Sequence, residues 1–174
     1  MTDDGTAIEI APLLAAGGMY RDVLELPGGG QEVRISPYGS RHDPAGADLL
    51  GRTLAERLRG RSVQSVVIWE DGDLVLAHVV ARELGALVGV GFDDGGLARL
   101  AEPLRSEAVT VIIADAFRTD SVPRTLAGLI SSAHASLVAA CCLVATESLD
   151  VLDPGVARVA LADEFVLNMA PQGV

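Results

Sequence analysis

The fold of this chain is decided by residues 109–130, VTVIIADAFRTDSVPRTLAGLI. The nearly continuous apolar run VTVIIA predicts a strand that is buried on both faces of a sheet. Asp115 follows this strand, a short polar loop comes next, and apolar residues then recur at helical spacing from Val122 to Ala133. This unit predicts an α/β fold with Asp115 at a strand end, where such folds bind phosphorylated ligands.

Strands and helices alternate along most of the remaining chain. Further apolar runs predict strands at residues 65–69, 86–92, 136–145 and 157–163. Helices are predicted from Asp43-Pro44 to Gly60 and from Leu74 to Gly85, and a loop at residues 93–96 leads through residues 97–105 to the strand VTVIIA. Continuous apolar strands separated by helices predict a mostly parallel central sheet with helices on both faces.

A smaller element precedes this alternation. Residues 8–16 have a helical pattern that stops at Gly17-Gly18, and residues 22–26 and 32–36 alternate like the strands of a hairpin around PGGGQ. The 174 residues suffice for one domain with a sizeable core. We therefore predict a single domain over residues 1–174, with an N-terminal segment at 8–40 and a core sheet at 62–165.

Charge excludes several classes of function. The chain has 24 acidic and 13 basic residues, a formal net charge of −11, and every basic residue is arginine. Such a surface offers little for non-specific binding to nucleic acid, and the absence of lysine excludes any mechanism that needs one. We therefore expect no nucleic-acid partner.

Membrane and metal sites are not indicated. No apolar run approaches the roughly 20 residues of a membrane helix, and the acidic start lacks the pattern of a signal peptide. These features predict a cytoplasmic protein with no membrane partner. The three histidines are scattered, and the adjacent Cys141 and Cys142 are predicted to be core residues, so no metal site is predicted.

The order of elements resembles the type I phosphoribosyltransferases, in particular the orotate phosphoribosyltransferases, over residues 8–165. LLAAGGMYRDVLELPGGGQEVRISPYGS (13–40) is similar to that family's N-terminal helix and hairpin, which form a hood. SVVIWEDGDLVLAHVVARELG (65–85) is similar to the unit that binds pyrophosphate. VTVIIADAFRTDSVPRTLAGLISSAHASLVAACCLVA (109–145) looks like the unit that binds the ribose phosphate. The resemblance implies a type I phosphoribosyltransferase-like α/β fold.

The resemblance implies a ribose-phosphate loop formed by Asp115, Arg118, Thr119, Asp120 and Ser121. In the family, two adjacent acids hold the ribose hydroxyls, and backbone N–H groups of a threonine- and glycine-rich loop hold the phosphate. Asp115 matches the first acid and Thr119 matches one loop threonine.

The same loop departs from the family's pattern at several positions. Ala116 replaces the second acid, Val122 stands in a glycine's place, and Pro123 stands where a hydroxyl residue closes the loop. Asp120 replaces a threonine and would repel a phosphate at about 4 Å by several kcal/mol at an effective dielectric near 20. These departures predict a weakened ribose-phosphate site.

The resemblance also implies a pyrophosphate loop at Glu70, Asp71, Gly72 and Asp73. Its carboxylates would tolerate pyrophosphate only with a bridging Mg²⁺, so Mg²⁺ is expected only if such a ligand binds. The family's mobile catalytic loop, expected at residues 91–99, contains a single basic residue here, Arg99. Arg34 and Arg41 are expected near the base pocket.

These features predict a phosphoribosyltransferase-like protein with weakened or lost transferase activity, acting as a ligand-binding or regulatory module. The alternative is an active Mg²⁺-dependent enzyme that joins phosphoribosyl pyrophosphate to a pyrimidine-like base. The family resemblance further implies a homodimer. If transfer chemistry is lost, the protein would act by binding a protein partner. No catalytic residue is assigned.

Other interpretations remain open from the sequence. A receiver domain would need a lysine, which the chain lacks, and a dinucleotide-binding protein would need a glycine fingerprint. Asp115 and Asp120 could serve only to cap a helix, and residues 70–73 could be a solvated turn. Trp69 and Phe117 flank the two loops, where they could stack on a base or pack in the core.

Overall fold

A computed structural model describes residues 20–25, 31–35 and 44–163 of the chain. The predicted helix at residues 8–16 and the candidate base-pocket residue Arg41 lie outside the described residues. The predicted N-terminal hairpin is present as an antiparallel pair of strands, β1 (Tyr20–Glu25) and β2 (Gln31–Ile35).

The main sheet has six strands in the order β5-β4-β3-β6-β7-β8. Its strands are β3 (Ser65–Trp69), β4 (Leu87–Asp94), β5 (Leu97–Leu100), β6 (Val109–Ala114), β7 (Ser136–Ala145) and β8 (Ala157–Asp163). All neighbouring pairs are parallel except β4 with β5, which is antiparallel. The predicted mostly parallel sheet is confirmed.

Helices cover both faces of this sheet, as predicted. They are α1 (Pro44–Leu58), α2 (Leu74–Leu84) and α3 (Ser121–Ser132), with a short 3-10 helix at Glu147–Val151. The helices α1 and α2 pack on one face, while α3 and the 3-10 helix pack on the other. None of the helices in the described ranges is long and apolar enough to cross a membrane.

The central strands alternate their side chains between two hydrophobic clusters. Cys141 packs with the α1 and α2 cluster, whereas Cys142 packs with the α3 cluster, and both are fully buried. The adjacent thiols therefore point to opposite faces of β7, and burial raises the pKa of the Cys141 thiol. Both cysteines are core residues, as predicted.

The loop predicted after β4 is shorter in the structure, and a strand that was not predicted follows it. Residues 93–94 continue β4, and β5 returns antiparallel to it through a turn of only Gly95 and Gly96. Both glycines have positive φ, 62° and 92°, as a tight two-residue hairpin turn requires. The segment expected to be the family's mobile catalytic loop, residues 91–99, lies within this hairpin.

The helices α2 and α3 end in the same hydrogen-bonded motif but with different residues. In α2, Gly85 is left-handed and Ala86 N–H donates to the carbonyl of Ala81 at 2.8 Å. In α3, His134 takes the left-handed position, with φ of 56°, and Ala135 N–H donates to Ile130 at 3.1 Å. This is the Schellman motif, for which glycine is the favoured residue.

Substitutions at Gly85 and His134 should change the free energy of unfolding in opposite directions. We expect Gly85→Ala to lower the free energy of unfolding by about 1 kcal/mol, since a Cβ disfavours positive φ. His134→Gly should raise it by about 0.5–1 kcal/mol for the same reason, partly offset by the freer unfolded chain. Urea unfolding measures both, and a shift in the same direction for the two variants would contradict this description.

A cluster of charged side chains joins α1 to α2. Arg82 Nη2 lies 2.5 Å from Asp48 Oδ1, and Arg52 Nε lies 2.9 Å from Asp48 Oδ2. Glu83 Oε1 lies 3.0 Å from Arg82 Nη2 and completes the cluster. The hydrogen bond from Arg82 holds the pKa of Asp48 below its ordinary value.

The lowered pKa of Asp48 predicts how this cluster depends on pH. Its contribution to stability is present above the ordinary aspartate pKa of about 3.9 and is lost as pH falls through the lower folded-state value. Wild type should therefore be more stable than Asp48→Asn near neutral pH, and the difference should shrink in acid. Thermal unfolding from pH 7 to pH 3 measures it, with Arg82→Gln as the partner variant. A pH-independent difference would show that Asp48 acts by packing alone.

Candidate functional site

The two loops singled out in the sequence lie at one edge of the sheet. Residues 70–73 follow β3 and residues 115–120 follow β6, and these strands are parallel neighbours. Their carboxyl ends therefore meet at the same edge, which we call the strand-end edge. The β4–β5 hairpin turn lies at this edge as well, because β4 runs parallel to β3.

Asp115 is held in place by β7. Its backbone carbonyl accepts hydrogen bonds from Leu143 N–H at 2.9 Å and from Val144 N–H at 3.1 Å. The carboxylate is 15% exposed, and Arg118 Nη2 approaches its Oδ2 at 3.4 Å. Asp115 thus presents a partly shielded acid on a fixed backbone, and it does not cap α3.

The loop after Asp115 is also held by a contact with Thr146, the residue that follows β7. Phe117 is 2% exposed, and its carbonyl accepts a hydrogen bond from Thr146 Oγ1 at 2.6 Å. Its ring belongs to the hydrophobic core and is not available to stack on a base. Trp69 is only partly buried and packs over Gly91, where an added Cβ would lie 3.2 Å from the indole ring.

Asp120 precedes α3 at the N-cap position without capping it. Its backbone is helical, with φ of −72° and ψ of −16°, and its carboxylate makes no hydrogen bond to the helix N–H groups. Asp120 Oδ2 instead accepts from Arg124 Nη2 at 2.9 Å, and Thr119 Oγ1 lies 2.9 Å from Ser121 Oγ. The interpretation of Asp120 as a capping acid is therefore wrong.

The three acidic residues of the 70–73 loop differ in burial and in hydrogen-bond partners. Asp73 is buried and extended, and its carboxylate caps α2 by accepting from Leu76 N–H at 3.0 Å. Glu70 Oε1 accepts from Asp93 N–H at 3.2 Å and so connects this loop to β4. A Cβ on Gly72 would lie 2.8 Å from the Trp69 carbonyl, so the turn requires glycine there. The interpretation as a solvated turn fits the exposed Glu70 and Asp71 but not Asp73.

The guanidinium groups at the strand-end edge are paired with carboxylates of this chain. Arg99 Nε lies 3.0 Å from Asp94 Oδ2 across the β4–β5 hairpin, while Arg118 and Arg124 pair with Asp115 and Asp120. A phosphorylated ligand would have to compete with these pairs. Within the described part of the chain, no three His, Cys, Asp or Glu side chains are grouped to hold a metal ion.

A groove of about 500 Å³ lies along α3, away from the pyrophosphate loop. It is mostly apolar, and it runs between α3 and the segment that precedes β8. Its lining includes Ala127, Ile130, Leu137, Leu152 and Val156, with Arg124 contributing charge. No sequence pattern predicted this groove, because its walls are ordinary core-facing residues of three separate elements.

The two N-cap aspartates provide a matched pair of variants. Asp73→Ala should lower the free energy of unfolding by about 0.5–2 kcal/mol, since it removes the cap of α2. Asp120→Ala should change it by less than about 0.5 kcal/mol, because only an exposed ion pair is lost. Chemical unfolding compares them, with Asp73→Asn as a variant that keeps the capping oxygen. Equal losses for both alanine variants would contradict the distinction.

Comparison with known proteins gives the fold its name. A scan against protein-family models and a search of curated proteins each found no match. Orotate phosphoribosyltransferase from Aeropyrum pernix matches in structure with a TM-score of 0.72 and 19% identity, over 91% of this chain and 95% of that one. Adenine phosphoribosyltransferase from Thermoanaerobacter pseudethanolicus matches with a TM-score of 0.67 and 18% identity, over 87% and 99% of the two chains.

A third match extends the same pattern. Orotate phosphoribosyltransferase from Mycobacterium tuberculosis, in complex with inorganic phosphate, has a TM-score of 0.67 and 13% identity, over 94% of this chain and 98% of that one. The resemblance noted in the sequence is confirmed at the level of the fold, which is that of the type I phosphoribosyltransferases. A receiver domain or a dinucleotide-binding domain is therefore set aside.

Proposed function

We propose, from the premise that this chain has the type I phosphoribosyltransferase fold, that it binds a phosphorylated ribose ligand but has weakened or lost transferase activity. It would act as a ligand-binding or regulatory module. The observation that carries this proposal is the β4–β5 hairpin, whose single basic residue, Arg99, is paired with Asp94.

Hydrogen bonds join the two strands of the hairpin along its length. Asp93 Oδ1 accepts from Gly96 N–H at 2.7 Å, and strand pairing runs without a gap from Gly91 and Leu100 to Asp94 and Leu97. Its single basic residue, Arg99, is paired with Asp94, and the chain has no lysine. Developing negative charge on pyrophosphate would therefore find no mobile cation here, although such stabilisation is a large part of transfer catalysis.

A ribose-binding role rests on Asp115. Its position at the end of β6 matches the acid that holds a ribose hydroxyl in the family, and its backbone is fixed by two hydrogen bonds from β7. Ala116 removes the second charge-assisted contact, which is worth about 1.5–3 kcal/mol. Binding should therefore be weak and should depend strongly on Asp115.

Several associated features belong to the same proposal. Arg34 and Arg41 would face a base, and Mg²⁺ would bind only together with a pyrophosphate ligand. The protein would be a cytoplasmic homodimer, and a partner protein could receive its regulatory signal. Light scattering tests the dimer directly, and a monomer would count against it.

The second candidate is an active Mg²⁺-dependent phosphoribosyltransferase that joins phosphoribosyl pyrophosphate to a pyrimidine-like base. The observation in its favour is that the two candidate loops and Asp115 share one edge of the sheet. Both proposed functions predict ligand binding, so only a measurement of catalytic turnover distinguishes them.

Calorimetry with ribose 5-phosphate, orotidine monophosphate and phosphoribosyl pyrophosphate, with and without Mg²⁺, tests the binding role. We expect wild type to bind at least one of these ligands weakly and Asp115→Ala to lose binding, because the ribose hydroxyl loses its acceptor. Since Trp69 is the only tryptophan and adjoins the pyrophosphate loop, its fluorescence gives a second readout.

Asp153→Ala is the control for the loss of a carboxylate, since its carboxylate accepts from Gly155 N–H near the start of β8. It should bind as wild type does. A folded wild type that binds none of the three ligands would overturn the binding role, as would binding that survives in Asp115→Ala.

A further inference from the structure

Two helices at the strand-end edge begin after an aspartate, but only one of these two carboxylates accepts a hydrogen bond from an N–H group of its helix. Asp73 is extended, with ψ of 90°, and caps α2. Asp120 is helical, with ψ of −16°, and leaves the first N–H groups of α3 without its carboxylate. The presence of an acid at position 120 is therefore not explained by helix capping.

The ion pair of Asp120 with Arg124 adds little stability. The Asp120–Arg124 pair is exposed, with side chains 62% and 66% accessible, and it spans one helical turn. Exposed pairs of this kind contribute little to folding, because both ions remain hydrated. What the pair does achieve is to hold a carboxylate and a guanidinium together at the start of α3.

The rest of the loop is paired within itself in the same way. The hydroxyls of Thr119 and Ser121 are 2.9 Å apart, and Arg118 reaches Asp115 at 3.4 Å. The side chains that would face a phosphate therefore contact each other. An incoming phosphate would have to break these contacts and also approach the negative charge of Asp120.

We propose that Asp120 is a built-in competitor for phosphate, so that the Asp120–Arg124 pair is an autoinhibitory contact at the ribose-phosphate loop. This inference rests on the proposed ribose-phosphate binding. The tethered carboxylate takes the guanidinium that a phosphate monoester would otherwise use. Neutralising the carboxylate frees Arg124 and removes the repulsion in a single step.

Asp120→Asn tests the inference with inorganic phosphate and ribose 5-phosphate as probes. We expect Asp120→Asn to bind ribose 5-phosphate about tenfold tighter than wild type or more, as removal of a like charge near a dianion predicts. Adding Arg124→Gln to this variant should abolish the gain, and Asp120→Glu should resemble wild type. Calorimetry measures affinity, and circular dichroism confirms that each variant is folded.

Glu56→Gln is the matched control for net charge, because Glu56, on α1 and away from this edge, is 62% exposed and pairs with Arg59 just after the helix. It should leave affinity unchanged. Affinity of Asp120→Asn within twofold of wild type would overturn the inference, as would a gain that does not need Arg124 or that Glu56→Gln reproduces. A gain with inorganic phosphate as well as ribose 5-phosphate would locate the competition at the phosphate group.

Different experimental results would refute the autoinhibitory contact and the proposed ligand binding. Binding that depends on Asp115 but not on the charge at position 120 would remove only the autoinhibitory contact. A wild type that binds nothing, with an Asp120→Asn variant that binds, would support the contact while refuting ligand binding by the native chain.

Discussion

The candidate site depends on the pairing of β6 with β7. The two strands are parallel, in a register that runs from Val111 beside Ala139 to Ala114 beside Cys142. Their side chains alternate between the two hydrophobic clusters, so a slip of one residue would turn each strand's core side chains to the wrong face. The same register ends with two N–H groups of β7 bound to the Asp115 carbonyl. Core packing therefore fixes where Asp115 stands, whatever the loop beyond it does.

The strands that are buried on both faces were predictable from the sequence because they must be apolar throughout. This holds for β3, β6 and β7, whose runs SVVIW, VTVIIA and SLVAACCLVA coincide with the observed bounds. β5 escaped prediction because it has only four residues, with half-exposed alternation that fits a loop equally well. The Gly-Gly pair between two strand-like segments is nevertheless a sequence signal for this hairpin.

The site residues were harder to predict than the strands, because their roles depend on backbone angles and neighbours. Asp73 and Asp120 occupy equivalent places before a helix, yet one caps and the other pairs with an arginine. The difference lies in ψ, which no local pattern specified. Phe117 could be placed next to the loop by sequence, but its burial could not. At the strand-end edge, Asp115 and Asp120 are therefore the positions at which substitutions test ligand binding, and Trp69 is the position that reports it.

We propose that the fold is retained while transfer chemistry is weakened or lost, and turnover tests this proposal most directly. The measurement is pyrophosphate release from phosphoribosyl pyrophosphate with Mg²⁺, in the presence of orotate or adenine and at high protein concentration. We predict release at or little above the rate without protein, because Arg99, Arg118 and Arg124 are paired with carboxylates of the chain. Base-dependent release at many turnovers per minute that disappears in Asp115→Ala would contradict the proposal and establish an active phosphoribosyltransferase.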